Sequence, residues 1–189
     1  MIRDLVLKNR SYRRFHEEVD ITPENLRELV DLARVSASAM NGQPLKYILS
    51  CDRQKNSLIF PHLVWATFLK TWPGPAEGER ASAYVVILGD NEISRFWDYD
   101  AGIAAQSILL GATDNGLGGC MIANIRREGL RKALKIAERY EILLVLALGK
   151  PKEKVVIETV GIGGDTKYWR DSEWVHHVPK RPLDEVIIG

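Results

Sequence analysis

Two uninterrupted apolar runs constrain the fold of this chain more than any other feature. Residues 83–88 read AYVVIL and residues 141–149 read EILLVLALG. Strands that face water on one side alternate apolar and polar residues, so runs without alternation predict strands that are covered on both faces. Between them, residues 100–115 are apolar or small on nearly every side of a helix, which predicts a buried central helix.

Further elements are predicted around this core. Thr22 is a good N-cap and Pro23 suits the first helical position, which predicts a helix that begins there. Shorter elements are predicted as a first helix near residues 2–6, strands at residues 47–51 and 120–123, and a more polar helix at residues 127–137. Strands and helices mix without strict βαβ alternation, so we predict an α+β fold in which helices flank a mixed sheet.

The chain has 189 residues, enough for one full hydrophobic core, and we expect a single domain over residues 1–189. Residues 159–189 are rich in glycine, charged and aromatic residues until a last apolar piece at residues 186–188. A segment of this kind does not bury itself. We therefore expect a C-terminal extension that packs on another surface, which in a homodimer is the partner subunit.

Charge and hydropathy exclude several classes of protein. Lys and Arg total 26 and Asp and Glu total 25, so no global field attracts nucleic acid or an anionic membrane. No secretory leader is visible, and no apolar stretch approaches the roughly 20 residues that span a bilayer. Cys51 and Cys120 fit two buried thiols in a reducing compartment. We expect a soluble, cytoplasmic protein that binds neither nucleic acid nor membrane.

Side chains that could carry chemistry on their own are not evident. The four histidines, His16, His62, His176 and His177, have no metal-ligand spacing, and we expect them to face solvent. There is no GxSxG elbow and no P-loop. If the chain is an enzyme, we expect a cofactor to supply its reactivity, and we expect no metal.

Basic residues cluster at two places in the chain. Three arginines surround Ser11 in residues 10–14, and this group fits either a phosphate site or a solvated basic turn. Lys180 and Arg181, near the other end, are on their own ordinary surface charges.

Three further segments leave alternatives open. Ser38, Asn41 and Gln43 lie at a helix end, where they either form a turn or read the donor and acceptor edge of a heteroaromatic ring. Residues 116–119 (GLGG) allow close backbone approach to a flat ligand, or only a helix C-cap. The aromatic segment at residues 60–80 is either the wall of a pocket or part of the core.

Taken together and in this order, these segments resemble the motifs of the nitroreductase family of FMN-dependent oxidoreductases. Residues 10–13 (RSYR) match an R-S-x-R opening, residues 147–151 (ALGKP) match an A-L-G-x-P segment, and residues 180–181 form a basic pair near the C-terminus. Two longer motifs are matched by Ser38, Ala39, Asn41, Gln43 and Pro44, and by Asp100, Gly102, Ala104, Gln106, Leu109, Leu110, Ala112, Gly116, Leu117 and Gly118.

The sequence also departs from the family pattern. Ala37 replaces a usual proline, Leu45 replaces a usual tryptophan, and residues 121–129 read MIANIRREG where many relatives have a Pro-Glu-Gly motif. These departures indicate a compact and less characterised branch of the family.

The resemblance implies an intertwined homodimer that binds FMN between its subunits. Arg10 and Ser11 would hold the phosphate and ribityl end, and Lys180 and Arg181 would close on the phosphate. Arg13 would lie near the N1–C2=O edge of the flavin ring, where a cation stabilises the charge of the reduced form. The other cofactor-binding residues that the resemblance implies are Ser38, Asn41 and Gln43 at the pyrimidine edge or the ribityl hydroxyls, and Gly118 and Gly119 near the ring.

The activity implied by the resemblance is a ping-pong oxidoreduction. NAD(P)H would pass a hydride to flavin N5, and a nitroaromatic, a quinone or a similar small acceptor would then be reduced in the same space. No catalytic side chain is implied, because the flavin carries the chemistry. Two alternatives are specialised flavin chemistry, such as reductive dehalogenation or flavin degradation, and a non-catalytic flavin-binding protein.

Overall fold

The structure is a computed structural model that describes all 189 residues. None of its helices combines the length and the apolar character that a membrane crossing requires. In chain order its helices and strands are α1 (Ile2–Lys8), β1 (Phe15–His16), α2 (Pro23–Arg34), β2 (Leu45–Ser50), α3 (Arg53–Ile59), β3 (Ala83–Asp90), α4 (Asp98–Asp114), β4 (Gly118–Ile122), α5 (Arg127–Leu134), β5 (Tyr140–Pro151), β6 (Val155–Thr159), β7 (Trp169–Arg170), β8 (His176–Lys180) and α6 (Leu183–Val186).

The main sheet has five strands in the order β1-β5-β3-β2, with β4 also paired to β5. The long strand β5 pairs with β3 along one edge and with β4 and β1 along the other, and every pairing in this sheet is antiparallel. All eight residues of β3 are buried, as the apolar run at residues 83–88 predicts. The α+β class and the mostly antiparallel pairing are confirmed, but the sheet that the helices flank is not mixed, because the parallel pairing of β6 with β8 lies in a second, smaller sheet.

Layers cover the main sheet on both faces, because successive residues of a strand point to opposite sides. Val85 and Ile87 of β3 pack in a cluster with Leu29 of α2 and Ile108 of α4. The alternate residues of β3 pack in a second cluster with the aromatic segment, including Trp65.

Local signals set the limits of two helices. The Thr22 hydroxyl accepts from the Asn25 backbone N–H at 3.2 Å, and the Asn25 side chain accepts from the Thr22 backbone N–H at 3.2 Å. This reciprocal cap confirms the predicted start of α2. Helix α5 is shorter than predicted, because Lys135 takes a left-handed conformation with φ of 54° and ends it.

Helix α4 is buried on one face only, which corrects the prediction of a fully buried helix. Ala104, Ala105 and Ile108 pack on the sheet, whereas Tyr99 is 82% and Ile103 is 40% exposed. A helix on the outside of a single sheet has one covered side, so the apolar residues on its other side have no partner within this chain.

Part of the predicted C-terminal extension packs on its own chain. Strands β6, β8 and β7 form a small three-stranded sheet with β8 in the middle. The sequence analysis predicted none of these strands, because they are short and carry polar residues. Beyond them, the apolar residues that stay exposed are Leu183, Val186, Ile187 and Ile188.

Candidate cofactor-binding site

A cleft of about 380 Å³ lies between the N-terminal segment, α4, β4 and the small sheet. It is large enough for a small-molecule site, since such sites span roughly 300–1,000 Å³. Its lining residues are Asn9, Arg10, Ser11, Arg13, Gln106, Leu109, Met121, Tyr168, His176, Val178 and Lys180. Four of the cofactor-binding residues predicted from the sequence therefore line the same cleft. They are Arg10, Ser11, Arg13 and Lys180.

The first wall of the cleft is an extended segment beside β4. Ser11 forms a parallel bridge with Gly119, and the Tyr12 backbone N–H donates to the Gly119 carbonyl at 3.0 Å. Alternate residues of extended backbone share one side, which places Ser11 and Arg13 together in the lining, next to Asn9 and Arg10 at the end of α1.

Arg14 belongs to the same basic cluster but does not line the cleft. Its Nε and Nη2 donate to the two carboxylate oxygens of Glu79 at 2.7 Å and 2.6 Å. These hydrogen bonds lower the pKa of Glu79 to about 2. The ion pair accounts for Arg14 without any ligand.

Arg10 carries an unsatisfied donor at the cleft. Its Nη2 donates to the Val6 carbonyl at 2.5 Å, but its Nε is buried and has no hydrogen-bond partner. Burial lowers the pKa of Arg10. A buried N–H without an acceptor is uncommon in native proteins, and this one belongs to a residue that lines the cleft.

Strand β8 supplies the opposite wall. His176, Val178 and Lys180 alternate along the strand and all line the cleft. Arg181 lies beyond the end of β8, forms an ion pair with Glu185 and is not part of the lining. Of the predicted basic pair, Lys180 therefore lines the cleft and Arg181 does not.

Gly118 and Gly119 have a packing role in this structure and do not appear in the lining. A Cβ on Gly118 would lie 2.6 Å from the Tyr12 ring, and a Cβ on Gly119 would lie 2.6 Å from Leu109. The space beside these glycines is therefore occupied by the side chains of Tyr12 and Leu109. Their predicted contact with a flavin ring stays a prediction.

Ser38 and Gln43 line a separate pocket of about 220 Å³, which also includes Asp100 at the start of α4. Asn41 is exposed and accepts a hydrogen bond from the Gln43 side chain at 3.1 Å. Within one chain, this group is not brought to the cleft that Arg10 lines. Its predicted contact with a cofactor across a dimer interface stays a prediction.

The prediction that the histidines face solvent is wrong for His176, which is 0% exposed. Its strand lies in the middle of the small sheet, and Tyr168 packs 5.2 Å away, ring centre to ring centre. Burial, together with the positive charges of Arg13 and Arg170, lowers the pKa of His176 to about 4.

The sequence analysis missed Tyr168 and His176 as lining residues. The period-two spacing of His176, Val178 and Lys180 is the signal that could have found His176, once residues 176–180 are assigned to a strand.

Two tryptophans of the aromatic segment pack in the core, whereas Phe68 is 51% exposed. Trp65 is 6% exposed in the hydrophobic core, and Trp72 packs edge-on against it at 6.5 Å between ring centres. Neither residue lines the cleft.

Comparison with known proteins identifies the family. The model of the nitroreductase family matches residues 6–150. This chain belongs to the nitroreductase family. The nitroreductase fold and an oxidoreductase activity of this family, both predicted from the sequence motifs, are thereby confirmed.

Individual relatives agree with this placement. A candidate NADH dehydrogenase/NAD(P)H nitroreductase of Archaeoglobus fulgidus is 30% identical over 152 residues, which cover 75% of this chain and 80% of that protein. An FMN-dependent nitroreductase of Clostridium difficile R20291 is 25% identical with a TM-score of 0.64, and the match covers 82% of this chain and 89% of the other. The NADPH:FMN oxidoreductase of Vibrio harveyi, solved with NAD+, is 26% identical with a TM-score of 0.61, and the match covers 79% of this chain and 68% of the other.

Proposed function

We propose that this member of the nitroreductase family is an FMN-dependent oxidoreductase that takes electrons from NAD(P)H and passes them to a small acceptor such as a nitroaromatic or a quinone. The observation that carries the proposal is that Arg10, Arg13 and Lys180, from opposite ends of the chain, line one cleft. The names of the Clostridium difficile and Vibrio harveyi relatives support FMN and a nicotinamide donor.

The lining fits the chemistry of FMN, which joins an anionic phosphate, a polar ribityl chain and a planar ring. Arg10 and Lys180 offer positive charge, and the buried Nε of Arg10 lacks an acceptor. The polar residues of the lining are Asn9, Ser11 and Gln106, and its apolar residues are Leu109, Met121 and Val178.

The residues of the chain would bind and orient the cofactor rather than take part in covalent steps. Arg10, Ser11 and Lys180 would hold the phosphate and ribityl end through charge-assisted hydrogen bonds, each worth about 1.5–3 kcal/mol. Arg13 would stabilise negative charge on the ring, because a fixed cation nearby favours the more negative state. When bound, FMN supplies the acceptance and donation of hydride equivalents that the side chains lack.

We also propose that the working unit is a homodimer. The exposed apolar residues Tyr99 and Ile103 of α4 need a covering surface, and Met40, in the loop between Ser38 and Gln43, is 93% exposed. A second copy is the proposed covering surface for α4 and for this loop, which the Ser38–Asp100 hydrogen bond holds at the start of α4. Sedimentation analysis at several protein concentrations tests the dimer.

A flavin spectrum tests the proposed function. The purified protein, incubated with FMN and freed of excess, should be yellow, lose its absorbance near 450 nm on addition of NAD(P)H without oxygen, and regain it with a nitroaromatic or quinone. A protein that takes up no FMN would contradict the proposal. A protein that binds FMN but is not reduced by either nicotinamide would favour a non-catalytic or specialised flavoprotein.

A further inference from the structure

The C-terminal part of the chain holds the side chain of Arg13. The Arg13 Nη1 donates to Nε2 of His176 at 3.1 Å, and the Arg13 Cζ lies 4.7 Å from the ring centre of Tyr168. Arg13 is 9% exposed and His176 is 0% exposed. The two residues that contact Arg13, His176 and Tyr168, lie outside residues 6–150, the part of the chain that matches the family model.

The backbone of Arg13 is fixed from the same direction. Glu153 accepts a hydrogen bond from the Arg13 backbone N–H, and its second oxygen accepts from Nη2 of Arg170 at 2.7 Å. The side chains of Glu153 and Arg170 are 0% and 7% exposed, and the guanidinium of Arg170 lies 4.2 Å from the ring centre of Trp72. Arg13 is therefore held at its backbone and at its guanidinium before any ligand binds.

The contact between Arg13 and His176 defines the state of the imidazole. A guanidinium has donors and no acceptor, so Nε2 of His176 must accept and the ring proton must lie on Nδ1. A protonated His176 would place a second cation 3.1 Å from Arg13. The neutral Nδ1–H tautomer is the one that the contact with Arg13 requires, and its buried Nδ1–H has no acceptor within this chain.

We propose that His176 is a positioning residue, whose neutral imidazole, together with the ring of Tyr168, fixes the Arg13 guanidinium at the wall of the cleft so that it meets negative charge on the cofactor. The inference rests on the proposed function and deepens it. According to this inference, residues outside the region that matches the family model fix the orientation of Arg13. A side chain that is already ordered binds a ligand more tightly, because no conformational entropy is lost in ordering that side chain when the ligand binds.

The first arm of the test uses the protein without flavin. Nitrogen-15 NMR of the histidine rings should show His176 protonated on Nδ1 and bare on Nε2 at neutral pH. In Arg13→Met, the Nε2 lone pair loses its donor, and the His176 signals should shift towards the mixture of tautomers found in free histidine. An Nε2–H tautomer in the wild-type protein, or unchanged signals in Arg13→Met, would overturn the inference.

The second arm uses the flavin-loaded protein and compares three variants whose folding is checked by circular dichroism. His176→Phe keeps a ring but removes the acceptor, His176→Gln keeps an acceptor, and His177→Gln alters the neighbouring residue, which bonds Glu158 and Asp171 instead of Arg13. We expect His176→Phe to weaken binding of reduced flavin about fivefold more than binding of oxidised flavin, which lowers the two-electron potential by about 20 mV. His176→Gln should recover part of this shift, and His177→Gln should show none.

The two arms separate the inference from the proposed function. A loaded, folded His176→Phe protein with the wild-type potential would overturn the inference and leave the proposed function intact. If the wild-type protein takes up no FMN, the proposed function fails, and the holding of Arg13 by His176 then stands or falls on the NMR result.

Discussion

The carboxylate of Asp100, at the start of α4, accepts a hydrogen bond from the Ser38 hydroxyl at 2.5 Å. The same carboxylate accepts from the Ala39 backbone N–H at 2.9 Å, and the Ser38 oxygen accepts from the Gln43 backbone N–H at 2.8 Å. Asp100 is 3% exposed. The loop includes left-handed conformations at Met40 and Gln43, with φ of 51° and 49°. This small network therefore holds a strained loop against α4.

Ser38→Ala should lower the free energy of unfolding by about 1–3 kcal/mol, because it leaves a buried carboxylate short of one donor. Ser36→Ala is the matched control, since the Ser36 hydroxyl bonds the Leu32 carbonyl and the Ser107 hydroxyl and leaves no buried charge without a donor. Urea denaturation measures both. Equal losses in the two variants would show that Asp100 does not depend on Ser38.

Glu153→Gln should be strongly destabilising, by about 3 kcal/mol or more, because it leaves the buried guanidinium of Arg170 without its counter-charge. The control is Asp31→Asn, which breaks an ion pair with Arg34 in which both side chains are more than half exposed. Exposed pairs contribute about 0–1 kcal/mol, so the control should unfold nearly as the wild type does. Thermal and urea unfolding of the two variants decide the prediction, and a loss in Glu153→Gln no larger than in the control contradicts it.

Gly119→Ala should destabilise the fold, because its Cβ would lie 2.7 Å from the Ala147 carbonyl oxygen, a backbone atom that cannot move aside. We expect a loss of about 1–3 kcal/mol, as for other overpacked sites. Gly161→Ala is the control, since a Cβ there meets no atom within 4 Å. Chemical denaturation of both variants is the measurement, and a Gly119→Ala protein as stable as Gly161→Ala would refute the packing role.

The neighbouring residues His176 and His177 should titrate far apart. The pKa of His176 is lowered to about 4 by burial and by Arg13 and Arg170, whereas hydrogen bonds to Asp171 and Glu158 raise the pKa of His177 above its usual value of 6.5. An NMR pH titration should show His176 still neutral at pH 5, where His177 is fully charged. Coincident midpoints near 6.5 would contradict the environments described.

The two histidines act in opposite directions on stability. Between pH 6.5 and about 4, the unfolded chain binds a proton at His176 that the folded chain does not, so this residue destabilises the fold as the pH falls through that window. His177 stabilises the fold fully below pH 6.5, and this contribution is lost as the pH rises through its raised pKa. Removal of His176 in His176→Gln should therefore reduce the loss of stability between pH 6.5 and 4.

Much of the fold could be predicted because its strongest signals are local. The apolar runs at residues 83–88 and 141–149 became β3 and β5, and Thr22 caps α2. Helix α3 was missed although Asp52 caps it by accepting from the Lys55 backbone N–H at 2.9 Å. Its apolar residues are too few to show a clear period.

The site was harder to predict because its parts depend on contacts between distant segments. The motif at residues 10–13 and Lys180 were found, but nothing local shows that Arg14 faces Glu79 or that Arg181 faces Glu185. The sequence predicts a surface position for His176, because β8 is a central strand only when β6 and β7 pair with it. Pairing with β6 and β7 makes residues 176–180 a strand, and the strand then determines which side chains face the cleft.

Titration of the apoprotein with FMN, followed by flavin fluorescence, tests the central claim most directly. Lys180 lines the cleft, whereas Lys132 is an exposed residue in the last turn of α5 and is not part of the lining. The wild-type protein should bind one FMN per chain, Lys180→Ala should bind it about tenfold more weakly through loss of one charged contact, and Lys132→Ala should match the wild type. Absence of FMN binding, or equal affinities of the wild type and Lys180→Ala, would contradict the shared phosphate site.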